Sequence, residues 1–331
     1  MSPPAFKTIA VIGFGEAGGI LGAEVAKQGA AVRTYDILLG DRAGSEPMRK
    51  KAAAAGVEAA ASHAAAVRGA DLVISAVTAA SAVDVAKTVA PHLAKGQVYL
   101  DINSISPEAK RANARKVEAA GADYIEAAVM AAVPPKRLKV PMLLGGPRAS
   151  EVSAALNAMG FDTEVAADRI GVASAIKMCR SVMIKGLEAL TVECMMGARR
   201  YGAEKEVLAS LHGTFPSMGW NADLPNYLIS RVAEHGRRRA AEMREVAATL
   251  TDGGIKPRMA SSTAALHDWF VDALAQCAAS YDKHAAFDWK RAVDALLKGG
   301  ESAETPAQNE PRSGSAPKPR VARMGNPGNR A

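Results

Sequence analysis

The first half of the chain alternates short apolar runs with alanine-rich stretches that carry apolar residues at helical spacing. Short apolar runs predict buried strands, and the stretches between them predict helices. The pattern predicts a strand over 8–13, a helix over 16–28 and a strand over 31–35. Strands alternating with helices build βαβ units around a parallel sheet, so we expect an α/β fold.

Four later apolar runs, at 72–77, 98–102, 124–129 and 140–144, bring the expected number of strands to six or more. After about residue 168 the pattern becomes helical and stays so to about residue 298. Its first helix, 171–197, is apolar nearly all round, which predicts burial between domains or subunits. We therefore expect an α/β domain over 1–168, an all-helical domain over 169–298 and a disordered basic tail over 299–331.

Composition and charge narrow the possible functions. Of 331 residues, 49% are hydrophobic and 23% charged, which is typical of a globular protein. No apolar run is long enough to cross a bilayer and no secretory leader is evident, so we expect a soluble cytoplasmic protein. The net charge is +7, but the basic residues of the tail have no aromatic residues among them to stack on bases. This composition argues against nucleic-acid binding.

Cysteine and histidine spacing predicts neither a disulfide framework nor a metal site. The three cysteines, Cys179, Cys194 and Cys277, are far apart and are expected in the core. The six histidines form no pair with metal-ligand spacing.

A glycine-rich turn follows the first predicted strand and opens the first helix. It reads Gly13, Phe14, Gly15, Glu16, Ala17 and Gly18. In this context GxGxxG predicts a Rossmann dinucleotide site, with the pyrophosphate at the helix N-terminus. Asp36, at the end of the next strand, suits the ribose hydroxyls and favours NAD, although Arg42 leaves NADP open. A turn that binds nothing, or that binds FAD, is the alternative.

Lys177 lies inside the long apolar helix, where burial would lower the pKa of its amine and suit it to general acid/base catalysis. Ser181 lies one turn further on the same face, and Lys185 two turns further. A lysine at the edge of a helix, with its amine reaching water, is the alternative interpretation.

Together these segments resemble the β-hydroxyacid dehydrogenase family, which includes 3-hydroxyisobutyrate, tartronate semialdehyde and 6-phosphogluconate dehydrogenases. The resemblance covers about residues 6–295 and implies a cofactor-binding Rossmann domain, a helical domain and a homodimer or homotetramer formed through the latter. Val77 and Thr78 correspond to the family's segment beside the nicotinamide ribose. Asn103 and Ser104 match its strand-five motif, and Gly171 followed by Lys177 matches its catalytic-lysine motif.

Departures from the family pattern bear on the substrate. The usual Asp-Ala-Pro-Val-Ser-Gly-Gly segment is replaced by one in which Met130, Ala131 and Ala132 occupy the substrate-contacting positions. Ser181 replaces the usual asparagine, and the family's second lysine is absent near Glu242. Upstream, the 237–239 arginine run is expected to be solvated, with Arg238 kept as a candidate anion ligand. These departures resemble a divergent branch whose C-terminal region is a domain of unknown function.

The resemblance implies an NAD(P)-dependent dehydrogenase that acts on the hydroxyl-bearing carbon of a β-hydroxy acid or related alcohol. Lys177 is the expected acid/base; Asn103, Ser104 and Ser181 orient the substrate, and Lys185 and the backbone near Met130 hold its acidic end. One alternative is an imine or keto reductase with a bulkier substrate. Another is a dinucleotide-binding protein without turnover, whose tail reaches a partner.

Overall fold

The computed structural model describes residues 6–41 and 43–301. Its centre is one eight-stranded sheet in the order β3-β2-β1-β4-β5-β6-β7-β8. The strands, numbered in chain order, are Thr8–Ile12, Ala31–Tyr35, Glu58–Ala59, Leu72–Ser75, Val98–Asp101, Asp123–Val129, Pro141–Gly145 and Asp162–Ala167.

Twelve α-helices surround and follow this sheet within the described ranges. The first seven, α1 to α7, are Glu16–Lys27, Ser45–Ala54, His63–Val67, Ala82–Val89, Pro107–Ala119, Val133–Lys136 and Ala149–Ala158. The last five, α8 to α12, are Val172–Arg200, Glu204–Thr214, Leu224–Asp252, Arg258–Gln276 and Trp289–Glu301. None of the described helices has the length and apolar character needed to cross a membrane.

The sheet confirms the α/β prediction, with one difference in strand direction. Strands β1 to β6 run parallel to one another, but β7 runs antiparallel to β6, and β8 is parallel to β7. The connection over 130–140 is too short for a crossover that returns a parallel strand, so the chain turns back on itself. Pattern reading also missed β3 and β8, because β3 has two residues and β8 is largely exposed.

The sheet is buried on both faces because helices cover each side. Strands β4 and β5 are buried at every position, which explains why they appear as continuous apolar runs. One apolar cluster lies on each face of the sheet, and two further clusters lie among the helices from α8 onward. The last strand, β8, ends at Ala167, and only helices follow it to Glu301, which confirms the predicted change from strands to helices.

Helix α8 is the long apolar helix of the sequence prediction, and it packs mainly against α10 and α11. One face remains uncovered in this chain, and Cys179 and Cys194 are exposed there, so the prediction that they lie in the core is wrong. The expectation that the 237–239 run is solvated fails at Arg239, whose side chain is only 11% exposed and lies 2.8 Å from the Glu188 carboxylate. The predicted tail lies outside the described residues from 302 onward, as does Arg42; α12 continues to Glu301.

A buried carboxylate from the sheet holds the N-terminus of α8. Glu126 of β6 accepts hydrogen bonds from the backbone N–H groups of Gly171 at 2.6 Å and Ala173 at 3.1 Å. Its other oxygen accepts from the Ser174 hydroxyl at 2.7 Å. A carboxylate at this position satisfies unpaired N–H groups and complements the positive end of the helix dipole. The start of α8 is thus fixed relative to the sheet.

We predict that Glu126→Gln destabilises the protein. An amide has one acceptor oxygen where the carboxylate has two, so one of the buried donors loses its partner. The free energy of unfolding should fall by about 2 kcal/mol in a denaturant titration. Glu164→Gln, at an exposed position of β8, is the matched control and should change it little. Equal stabilities for the two variants would contradict the capping role.

Candidate active site

The glycine-rich turn lies between β1 and α1, where its three glycines meet different constraints. Gly13 has a φ of +87°, and a Cβ there would lie 2.5 Å from the Ala76 carbonyl oxygen. A Cβ on Gly18 would lie 2.0 Å from the Gly13 carbonyl oxygen. A Cβ on Gly15 would meet nothing within 4 Å. The first and third glycines are required by the fold itself, and the second leaves open space above the turn.

The turn is braced by two charged side chains. Asp36 accepts the N–H of Phe14 at 2.7 Å and that of Leu38 at 3.0 Å. Each carboxylate oxygen retains a lone pair for a further donor. The Lys51 amine donates to the carbonyl oxygens of Phe14 and Gly15, both at 2.7 Å. Sequence reading missed Lys51, because its 36-residue separation from the turn gives no local signal.

These features fit a dinucleotide. No side chain caps the N-terminus of α1, so its first N–H groups are available to an anion. Backbone can approach a pyrophosphate at Gly15, and Asp36 stands at the carboxyl end of β2, where a ribose would lie. The predicted cofactor residues from Gly13 to Gly18, including Glu16 and Ala17, therefore form one continuous turn. Asp36 lies beside this turn and contacts it through the Phe14 N–H.

The carboxyl ends of β4 and β5 form the next part of the site. The Asn103 side-chain oxygen accepts the Val77 N–H at 2.7 Å, and its amide donates to the Ser75 hydroxyl at 2.9 Å. Thr78 is exposed beside Val77, and its hydroxyl lies 3.0 Å from that of Ser81. Asn103 thus ties together the end of β5 and the end of β4, the segment expected beside the nicotinamide ribose.

Lys177 projects from α8 toward this edge. Its amine donates to the Ser104 hydroxyl at 2.5 Å, across 73 residues of sequence. Burial lowers the pKa of Lys177 to about 8; the positive charges of Lys110, Lys185 and Arg238 act in the same direction, whereas Glu242 opposes them. An amine with this pKa exchanges a proton near neutral pH.

A charged group lies further along α8. The Lys185 amine is buried, 3.1 Å from the Ser181 hydroxyl and 3.0 Å from the Glu242 carboxylate of α10. Arg238 pairs with the same carboxylate at 2.6 Å. Burial alone would raise the pKa of Glu242, but Lys185 and Arg238 hold it below its ordinary value. Sequence reading noted Glu242 only for the missing lysine, since its pairing depends on how α8 meets α10.

The segment expected to hold the acidic end of a substrate is arranged differently from its prediction. The Met130 N–H donates to the Pro141 carbonyl oxygen at 2.9 Å, continuing the β6–β7 pairing. That donor is therefore already taken. Ala131 and Ala132 are exposed in the following loop. The positive charges near Lys177 lie instead on α8, α10 and α5.

Comparison with known proteins agrees with this architecture. The NAD-binding domain of 6-phosphogluconate dehydrogenase matches residues 8–166, and a domain of unknown function, DUF1932, matches 198–270. A solved conserved hypothetical protein from Sinorhizobium meliloti 1021 is 37% identical, with a TM-score of 0.72 over 88% of this chain and 96% of that one.

A second solved structure shares 30% identity at a TM-score of 0.66, covering 88% of this chain and 99% of that chain. It is a conserved protein of unknown function described as structurally similar to 3-hydroxyacid dehydrogenases. The chain belongs to the β-hydroxyacid dehydrogenase family. The mitochondrial 3-hydroxyisobutyrate dehydrogenase of Drosophila melanogaster is 25% identical over 225 residues, 66% of this chain and 67% of that protein.

Membership of the β-hydroxyacid dehydrogenase family establishes the general class of this protein. It is a nicotinamide-dinucleotide-binding protein of the oxidoreductase type. DUF1932 places it in the divergent branch that the sequence resembles.

We predict that Gly15→Ala folds normally but binds dinucleotide poorly. The added methyl group meets no protein atom, yet it occupies the space through which a pyrophosphate approaches backbone. Calorimetry should show dinucleotide affinity reduced roughly tenfold or more. Gly213→Ala, which also adds a methyl group in open space but on α9, should bind as the unchanged protein does. Unchanged affinity in Gly15→Ala would place the cofactor elsewhere.

Proposed function

We propose that this protein is an NAD(P)-dependent dehydrogenase that interconverts a β-hydroxy acid, or a related alcohol, and its carbonyl form. The observation that carries the proposal is the state of the Lys177 amine. Burial lowers its pKa to about 8, and it donates a hydrogen bond to the Ser104 hydroxyl beside the carboxyl ends of β4 and β5. A bound nicotinamide ring accepts hydride in oxidation and supplies it in reduction.

The protein's own groups handle the proton and the orientation of the substrate. In oxidation, neutral Lys177 takes the proton of the substrate hydroxyl; in reduction, its ammonium returns it. The Ser104 hydroxyl, 2.5 Å from that amine, holds it at the edge of the sheet. Asn103, tied to both strand ends, keeps that edge fixed. One turn further along α8, the Ser181 hydroxyl donates to the Lys177 carbonyl oxygen at 2.9 Å, so in this proposal it orients the substrate as a hydrogen-bond acceptor.

The charges beyond Lys177 support an acidic substrate. Lys185 and Arg238 both pair with Glu242, so two positive charges face one negative charge. A substrate carboxylate would accept hydrogen bonds from Lys185 and Arg238, and its negative charge would balance the second positive charge. The Met130 N–H already donates to the Pro141 carbonyl oxygen, so it is not free to bind the substrate. In this proposal Met130 contributes the apolar surface of its side chain instead.

We propose NAD as the preferred cofactor, with NADP as the alternative. A carboxylate at Asp36 accepts hydrogen bonds from ribose hydroxyls and repels a 2′-phosphate.

A second candidate activity is reduction of an imine or ketone on a bulkier substrate. It is favoured by Ala131 and Ala132, which leave small exposed side chains in the loop after β6. Steady-state assays of C3 to C6 hydroxy acids against cyclic imines separate the two activities. Dinucleotide binding without turnover in either panel would favour the non-catalytic alternative.

We also propose that a second copy of the chain covers the free face of α8. Exposed apolar residues recur there every seven positions: Ile176 is 42% exposed, Met183 73% and Leu190 54%. Residues seven apart lie on one face of a helix. An apolar groove of about 420 Å³ between α8 and α11 continues this surface beside Trp269. Two copies burying the same face form a symmetric dimer; light scattering also distinguishes a tetramer.

We predict that Lys177→Met lowers kcat by roughly 10²- to 10⁴-fold, the usual effect of losing an acid/base group. Dinucleotide affinity, measured by calorimetry, should be unchanged. In the unmodified enzyme, kcat for oxidation should rise with pH and level off above about 8, because neutral Lys177 is the base. Reduction should show the opposite dependence.

Lys116→Met, on α5, is the matched control for that substitution and should keep full turnover. Wild-type kcat in Lys177→Met, or a pH limb that survives in that variant, would exclude Lys177 as the base.

We predict that Met183→Asp weakens self-association. A charge at the centre of the free face of α8 would have to be buried without a partner, which is costly. Sedimentation should show the variant dissociating at concentrations where the unchanged protein is a dimer. Val165→Asp, on the exposed part of β8, should leave the assembly intact. A monomeric wild-type protein, or a Met183→Asp dimer of equal affinity, would contradict this surface assignment.

A further inference from the structure

A further lysine, Lys110, is buried beneath the proposed active site. The side chains of Lys110 of α5 and Asp101 of β5 are 1% and 0% exposed, and the Lys110 amine lies 2.9 Å from one Asp101 carboxylate oxygen. The amine also donates to the Asp101 carbonyl oxygen at 2.7 Å. A buried ion pair is tolerated when further hydrogen bonds satisfy its remaining atoms.

The Asp101 carboxylate is satisfied in this way. One oxygen accepts the backbone N–H of Asn103 at 3.0 Å and its side-chain amide at 2.8 Å. The other accepts the Tyr124 hydroxyl at 2.7 Å and the Asn113 amide at 3.3 Å. The donors to Asp101 lie on α5, on β6 and on the segment that follows β5. The carboxylate therefore fixes the start of that segment.

The same segment reaches the proposed base one residue later. Ser104 directly follows Asn103, and its hydroxyl accepts the Lys177 amine. Two residues beyond, the Ser106 N–H donates to Glu245 of α10 at 2.9 Å. Residues 103–106 are thus held by hydrogen bonds to Asp101 of the sheet on one side and to Lys177 and Glu245 of the helices on the other. Nothing in the sequence motif assigned a role to Lys110.

We propose that Lys110 is a positioning residue: through Asp101 it holds the Ser104 hydroxyl against the Lys177 amine, and it places a positive charge behind that amine. The role rests on the proposed function, in which Lys177 is the acid/base. Lys110 is too deeply buried to touch substrate itself.

The charges around Lys177 come from three packed elements. Lys110 lies on α5 and Lys185 on α8, while α10 contributes Arg238 and Glu242. Asp101 and Glu245 add carboxylates on either side of the 103–106 segment. Among these, Lys110 is the positive charge whose position is fixed by a fully buried partner. A like charge held nearby disfavours protonation of Lys177, which agrees with its lowered pKa.

The test is a pH titration of Lys177 that requires no cofactor, substrate or turnover. Protein labelled with ¹³C at lysine Cε gives a resonance whose chemical shift follows the charge of each amine. Comparison with the spectrum of Lys177→Met assigns the Lys177 signal. Because the readout is the amine itself, it remains informative if the proposed reaction is wrong.

In Lys110→Met, the Lys177 titration midpoint should move to higher pH by roughly half a pH unit or more. The substitution removes a positive charge and leaves Asp101 uncompensated, and both changes favour the ammonium. Lys116→Met removes the same charge two turns further along α5 and should leave the midpoint in place. If the enzyme turns over, the pH limb of kcat should move with the midpoint. An unmoved midpoint in folded Lys110→Met overturns the proposal.

Tyr124→Phe decides the case if Lys110→Met does not fold. It removes one hydrogen-bond donor from Asp101 while preserving the ring that stacks on Tyr99 at 5.9 Å. The less compensated carboxylate should move the Lys177 midpoint upward by a smaller amount, and no movement overturns the proposal. Midpoint shifts without turnover of any hydroxy acid or imine would refute the proposed function and leave the positioning role intact.

Discussion

The contact between Glu126 and the first turn of α8 is the constraint on which the rest of the site depends. This carboxylate of the sheet satisfies N–H groups of a helix that continues for 29 residues into the helical half. Lys177 lies less than two turns beyond the capped end. Because a helix is stiff over that distance, fixing its start fixes where the amine reaches the sheet. The α/β half therefore positions Lys177, the proposed base, although this residue belongs to a helix of the other half.

Electrostatics at this edge follow from how its charges are compensated. Lys110 of α5 pairs with Asp101 of β5, and Lys185 shares Glu242 with Arg238. Lys177 has a hydroxyl as its partner and no carboxylate at hydrogen-bond distance among those described. Burial and the neighbouring positive charges lower the pKa of this amine, so it gives up its proton more readily than a free lysine. A single lysine is thereby distinguished from its neighbours.

How much the sequence could predict depended on whether a signal was local. The glycine-rich turn and the succession of strands were predictable, since a short motif and periodicity carry them. Lys177 was singled out as a candidate because an amine in an apolar helix is unusual and the family resemblance places a lysine there. The roles of Glu126, Lys110 and Glu242 were missed: each depends on a partner brought close only by folding, as when Glu126 meets Gly171 across 45 residues. Likewise, the exposed cysteines of α8 were misjudged because an apolar helix can leave one face for another chain.

In the proposed reaction the Lys177 amine reaches the hydroxyl oxygen on the carbon that exchanges hydride. A crystal structure of the protein with reduced dinucleotide and a hydroxy-acid analogue measures this directly. We expect the Lys177 nitrogen within hydrogen-bond reach of the analogue's hydroxyl oxygen, with the nicotinamide C4 facing the carbon that bears this hydroxyl. A Lys177 side chain turned into solvent, with another group donating to that oxygen, would contradict the account.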